Sequence, residues 1–297
     1  MSSFRALSKE GHAAMSLRGG QTDRWILIQQ NTFTNWVNEQ LRLCNAELIE
    51  DVQSDFSDGV SLCYLVEALQ GKKIGRIIKK PNNPHQNLEN VTKALNAIAN
   101  DNVRLVNIGS DDIVTGNLKL ILGLIWHLIL RYQIGKTKFP TKKLMLAWIQ
   151  AVIPECGITN FTTDWNDGIA LNALVDFCQP GLSPDWRHLS RSSGLDNCRV
   201  AMELARDNFE IPLVVRPEDL ASPDLDDLSG MTYLSYFMKI DSPGYHATLK
   251  IIQNLLKYGS CNNFTSDWQD GHVLANLVQS LGETVPPLTG SHHENQK

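Results

Sequence analysis

The chain has 297 residues, 42% hydrophobic and 20% charged, a composition ordinary for globular protein and a length sufficient for about two domains. Its net charge of -5 supplies no basic excess to neutralise phosphates, which argues against a general nucleic-acid binder. The longest apolar stretch, residues 120–130, is too short to span a bilayer, and the six scattered cysteines show no CxxC and no histidine at ligand spacing, which excludes the common zinc frameworks.

In chain order, residues 1–23 carry Ser, Gly and mixed charge without periodicity and without the apolar segment of a secretory signal, so a mobile tail on a cytoplasmic protein with reduced thiols is expected. WILIQQNTFTNWVNEQL follows, with Ile28, Phe33, Trp36, Val37 and Leu41 near helical spacing and amides on the other faces. Its polar side, Gln29, Gln30, Asn31, Thr34 and Asn38, is neutral and is expected to be exposed, a composition that suits a protein interface. KKIGRIIKKPNNPHQ, residues 72–86, is basic and broken by Pro81 and Pro84, which predicts a loop, and Leu88–Asn100 resumes helical spacing. GNLKLILGLIWHLILRYQI is apolar nearly all round and closes a first domain spanning 24–134 as a central helix.

Residues 135–141 read as a linker. Gly135-Lys136-Thr137 has the ending of a phosphate-binding loop, but Leu130 stands where the first glycine belongs and a helix precedes it, so no nucleotide cofactor is expected. A second domain over 142–241 repeats the plan from TKKLMLAWIQAVIP to DLSGMTYLSYF, with loop breaks at Ser222-Pro223 and at Ser242-Pro243-Gly244. A third copy begins near Tyr245 and runs to 285 without an apolar closing helix, which predicts a loosely ordered or docked fragment, followed by a tail over 286–297. No strand pattern occurs, so the fold is expected to be all-α. Charge is uneven: Arg24–Gly135 holds eleven Lys/Arg against eleven Asp/Glu and Lys136–Pro243 ten against fifteen, which favours the first domain for meeting an acidic partner.

One phrase recurs three times. It reads DFSDGVSLCYLVEAL from Asp55, DWNDGIALNALVDFC from Asp164 and DWQDGHVLANLVQSL from Asp267, starting 109 and 103 residues apart, a domain length rather than a solenoid period. Leucines at i and i+3 after each Asp-Gly lie on one helical face. Asp55/Asp58, Asp164/Asp167 and Asp267/Asp270 resemble paired catalytic carboxylates, but their recurrence at helix starts makes capping the economical reading. The histidines have no recurring nucleophile or metal partner, so neither an enzyme nor a metal site is expected.

These phrases, with IQQNTFTNWVNEQL, QNLENVTKALNAI and GNLKLILGLIW in the first domain and LMLAWIQ, ITNFTTDWNDGIALNALVDFCQPGLSPDW and GMTYLSYF in the second, resemble the tandem calponin-homology domains of the filamin-type actin-binding region. The likeness covers roughly Trp25–Phe237, and a third start of this kind is similar to filamin-like proteins with three such domains. The resemblance implies F-actin binding in the cytoplasmic actin cytoskeleton, with the first domain supplying most of the affinity. It places contacts on Gln29–Leu41, Leu120–Ile134 and Lys142–Ile153, and hence on Gln29, Gln30, Asn31, Thr34, Asn38, Trp126, Arg131, Lys142 and Lys143. Lys72, Lys73 and Arg76 are added as cations suited to an acidic surface. Trp36 and Trp148 are expected as core anchors. The resemblance also allows a phosphoinositide-binding adaptor, using Lys136, Lys138, Lys142 and Lys143. Without a heptad region or another complete binding unit, a monomer decorating single filaments is expected.

Overall fold

The structure is a computed structural model that describes residues 23–135 and 141–283. The expected tails over 1–23 and 286–297, most of the linker, and Lys136 and Lys138 lie outside the described residues, apart from Asp23, Gly135 and Thr141 at their edges. The described residues form helices and turns with no strand among them.

The first domain opens with α1 (Arg24–Leu43), whose apolar stripe Ile28, Phe33, Trp36, Val37 and Leu41 is fully buried. A short helix α2 (Val52–Asp55) leads into α3 (Val60–Gln70), which Gly59 starts and Gly71 stops, both with positive φ. α4 spans Pro84–Asn100, so the basic segment expected as a loop ends earlier than its prolines suggested. Pro84 sits at the first helical position, where its missing N–H costs nothing, and the Asn83 side chain accepts the Gln86 N–H at 3.1 Å. After α5 (Ser110–Val114), α6 (Leu118–Leu128) runs through the middle of the domain, with Ile121, Leu122, Leu124, Ile125 and Leu128 buried. It widens into a π-helical turn over Ile129–Ile134 before Gly135.

The second domain repeats the order with α7 (Thr141–Val152), α8 (Ile169–Cys178), α9 (Gly194–Phe209), the short α10 (Pro217–Leu220) and α11 (Asp227–Met238). Buried apolar residues of both domains form one contiguous core, in which α1 packs against α11. Ser242-Pro243-Gly244 does not end the chain's helical course as a loop. Ser242 caps α12 (Pro243–Leu255) by accepting the Tyr245 N–H at 3.2 Å, while its own hydroxyl donates to the Phe237 carbonyl at 2.6 Å.

α12 lies on α8 and α11, not free of them. Gly244 makes this possible, because a Cβ there would stand 2.3 Å from the Phe237 carbonyl oxygen and 2.6 Å from the Trp148 ring. Trp148 Nε1 donates to Thr248 Oγ1 at 3.2 Å and its ring meets Phe177 edge-on. Trp36 is the core anchor expected of it; Trp148 is half-buried and joins the second domain to the third copy. The third copy closes with α13 (His272–Ser280) and holds its own small cluster around Leu249, Cys261 and Val273.

Candidate functional surface

The acid pairs of the repeated phrase divide one task between them. The first aspartate of each copy gathers upstream backbone amides: Asp55 accepts from Glu50 and Asp51 at 2.7 and 3.0 Å, Asp164 from Thr159 and Asn160 at 2.7 and 3.1 Å, and Asp267 from Asn262 at 2.6 Å. The second caps the next helix, as Asp58 accepts the Val60 N–H, Asp167 the Ile169 N–H and Asp270 the His272 N–H, at 2.8, 3.0 and 2.9 Å. Burial pushes the Asp164 carboxyl up, but the hydrogen bonds from Thr159 and Asn160 outweigh it and hold the group below its ordinary range. The Asn262 amide chiefly does the same for Asp267.

The amide-rich side of α1 is not the exposed face its sequence suggested. Gln29 is 7% exposed and Thr34 6%, and Gln30, Asn31 and Asn38 are half-buried. The reason is backbone satisfaction. Thr34 donates to the Gln30 carbonyl at 2.8 Å and accepts the Val52 N–H at 3.3 Å; Gln30 donates to Asp51 at 2.5 Å. Asn38 pairs with both backbone groups of Ile49, at 2.8 and 2.9 Å. These side chains pin the irregular segment before α2, whose buried peptide groups need partners. Gln150 and Gln253 repeat the role by donating to the carbonyls of Ile158 and Cys261, at 2.8 and 2.7 Å.

Gln29 points elsewhere, to the second domain. Its Nε2 donates to Asp226 Oδ1 at 3.0 Å, and Asp226 also caps α11 by accepting from the Leu228 and Ser229 amides and the Ser229 hydroxyl. Burial raises the Asp226 carboxyl above its ordinary value, against the pull of the bonds from Ser229, Gln29 and Leu228. Asn35 donates to the Val214 carbonyl at 3.1 Å, and Arg24 lies 4.0 Å from Asp224. The domains therefore meet along α1. Asn35, Asp224 and Asp226 were not visible as contact residues in the sequence, because nothing in it says which face of α1 meets which end of α11.

The candidate cations separate into engaged and open ones. Lys73 pairs with the buried Glu67 at 2.7 Å, Arg131 with Asp101 at 2.9 Å, and Lys142 with Asp227 at 2.7 Å. Asp101 also accepts from the Tyr132 hydroxyl at 2.7 Å, and burial with that bond pushes Tyr132 up to about 12. Lys72, Arg76 and Lys143 are exposed. Trp126 is half-buried, its ring stacked parallel to Phe33 with centroids 6.5 Å apart. Of the predicted α1 residues the structure thus brings Gln29 to the second domain, ties Gln30, Thr34 and Asn38 to the segment before α2, and leaves Lys72 and Arg76 on a separate exposed loop. Among the described residues no cluster of His, Cys, Asp or Glu is arranged to hold a metal ion, and no helix is long and apolar enough to cross a membrane.

Two helical modules of one plan, sharing a core and spending their recurring carboxylates on their own backbone, define a tandem helical-domain protein. More particularly, the chain belongs to the calponin homology (CH) domain family, whose model matches residues 27–134 and 139–242. It is 45% identical over 227 residues to filamin-C of Rattus norvegicus, across 72% of this chain and 8% of that protein. Against filamin-A of Drosophila melanogaster it is 42% identical, across 72% of this chain and 10% of that one. Alpha-actinin-like protein 1 of Schizosaccharomyces pombe is 36% identical over 225 residues, 73% of this chain and 36% of that protein. The chain therefore spans a small part of each relative. The fold is also that of the crystal structure of the actin-crosslinking core of S. pombe fimbrin, at a TM-score of 0.52 and 18% identity, over 85% of this chain and 60% of that one.

Proposed function

We propose that the paired domains form a non-catalytic F-actin-binding module of filamin type, acting as a monomer in the cytoplasmic actin cytoskeleton, with the first domain supplying most of the affinity. The observation that carries this reading is the 42–45% identity to filamins over 72% of the chain, beside a family match in each of the two domains. A solved structure of the same fold is described as an actin-crosslinking core, which agrees with it. Lys72, Arg76 and Lys143 supply open cations for an acidic filament surface. Gln29, Gln30, Asn31, Thr34, Asn38, Trp126 and Arg131 contribute in a second way, through the position of α1 and α6.

In this reading closure and filament binding compete, because domain two covers the Gln29 end of α1. Asp224→Arg with Asp226→Ser separates the domains from the second-domain side, serine keeping a cap for α11. Cosedimentation with F-actin is the test. Wild type should pellet saturably and the opened variant about three- to tenfold more tightly, a shift of about 1 kcal/mol. If neither protein pellets while circular dichroism shows both folded, the actin reading fails; if both pellet equally, only the competition fails. The phosphoinositide reading is weaker, since Lys142 is paired with Asp227. Pelleting with phosphoinositide vesicles, without F-actin binding, would put it first.

A further inference from the structure

α11 is touched by all three copies. Every residue from Ser229 to Phe237 is buried, so the helix has no solvent face over those positions. α1 of the first domain packs along it, α7 meets it within the second domain, and α12 of the third copy lies against it. A helix enclosed in this way moves with its neighbours rather than past them, because a close-packed interior leaves no room for one element to slip.

Different copies hold its two ends. At the start, Asp226 accepts from Gln29 of the first domain at 3.0 Å, and Asp227 pairs with Lys142 of α7 at 2.7 Å. At the finish the third copy takes hold. The Ser242 hydroxyl donates to the Phe237 carbonyl at 2.6 Å, and Gly244 fills the space between that carbonyl and the Trp148 ring of α7, where a Cβ has no room. Thr248 accepts from Trp148 Nε1 at 3.2 Å and donates to the Gly244 carbonyl at 2.7 Å, so the first turns of α12 clasp α11 and α7 together. The two helices are thus joined at one level by an ion pair and at the other by the third copy.

We infer that the third copy is an intramolecular effector of the first two domains. Docked through Gly244 and Thr248, it holds α11 where Asp226 receives Gln29, and its release from Trp148 and Phe237 opens the pair. The two states differ in defined contacts: the clasp on α7 and α11 and the Gln29–Asp226 bond are both made in one and both lost in the other. One buried helix joins them, with Asp226 before its first residue and Phe237 near its last. The inference concerns the opening of the pair, whatever the pair binds.

The test follows trypsin cleavage of the full chain after Lys136 and Lys138, between the two domains, with the products identified by mass spectrometry. Gly244→Leu drives α12 off by bulk, and Thr248→Val removes the acceptor of Trp148 while keeping the shape of the side chain. Cleavage should quicken about three- to tenfold in the first and by a smaller factor in the second. In the Asp224→Arg, Asp226→Ser background, where the latch is already released, Gly244→Leu should add nothing. Val273→Ala, which loosens the third copy's own cluster away from the clasp, should leave the rate unchanged. An unchanged rate in Gly244→Leu overturns the proposal, and so does an equal rise in the released background or from Val273→Ala. No actin is present, so this outcome is independent of the filament reading.

Discussion

At Gly168 two demands coincide. Its φ is 70°, and a Cβ would stand 2.5 Å from the Cys198 amide nitrogen, a backbone atom that cannot turn aside. Gly157 has φ 59° with nothing within 4 Å. Gly168→Ala should therefore cost about 2–4 kcal/mol, and Gly157→Ala only about 1 kcal/mol, in urea unfolding. Equal losses would mean that crowding contributes nothing. Asp164 gives a pH-dependent counterpart. Its folded pKa lies below the ordinary 3.8, so its stabilising contribution is present above that value and fades as pH falls through the lower, folded one. Asp164→Asn should flatten the dependence of stability on pH between about 4 and 2; an unchanged slope would assign acid sensitivity to other carboxylates.

At the scale of elements, α1 shows what a single sequence can and cannot convey. Its apolar stripe was legible, because burial against its own domain imposes helical spacing on Phe33, Trp36, Val37 and Leu41. Its amide face was misread as exposed, because glutamine and asparagine look alike whether they face water or satisfy a buried peptide group. Only the position of Ile49 and Val52 distinguishes the two. The start of α4 was missed for a related reason: proline reads as a breaker, yet at the first helical position it fits. The contact of α1 with α11 was beyond reach, since it joins Gln29 to a residue 197 positions away. At Asp226 burial raises the pKa in the folded protein, so the net contribution of this group to folding is lost as pH rises through the raised value, whereas the bond from Gln29 itself pulls the pKa down and favours the carboxylate.

For the whole molecule, the all-helical class and the two-domain order were legible because a repeated phrase at domain spacing leaves few other architectures. The docking of the third copy was not, since it depends on Gly244 and Trp148 meeting across 96 positions of sequence. One core runs through both domains, whereas among the described residues the third copy has a cluster of only three buried apolar residues of its own. Calorimetry should show the two domains melting in one transition with α13 lost earlier; separate transitions for the two domains would show their shared core to be weak. The joint between α11 and α12 has a mechanical consequence. It is only four residues long, and the Ser242 hydroxyl is tied to the Phe237 carbonyl, so it holds no slack. Tension applied downstream of α12 is thus handed to α11, the helix whose Asp226 cap holds Gln29. A pull on one end of the molecule is delivered to the latch between its first two domains rather than absorbed by a slack tether.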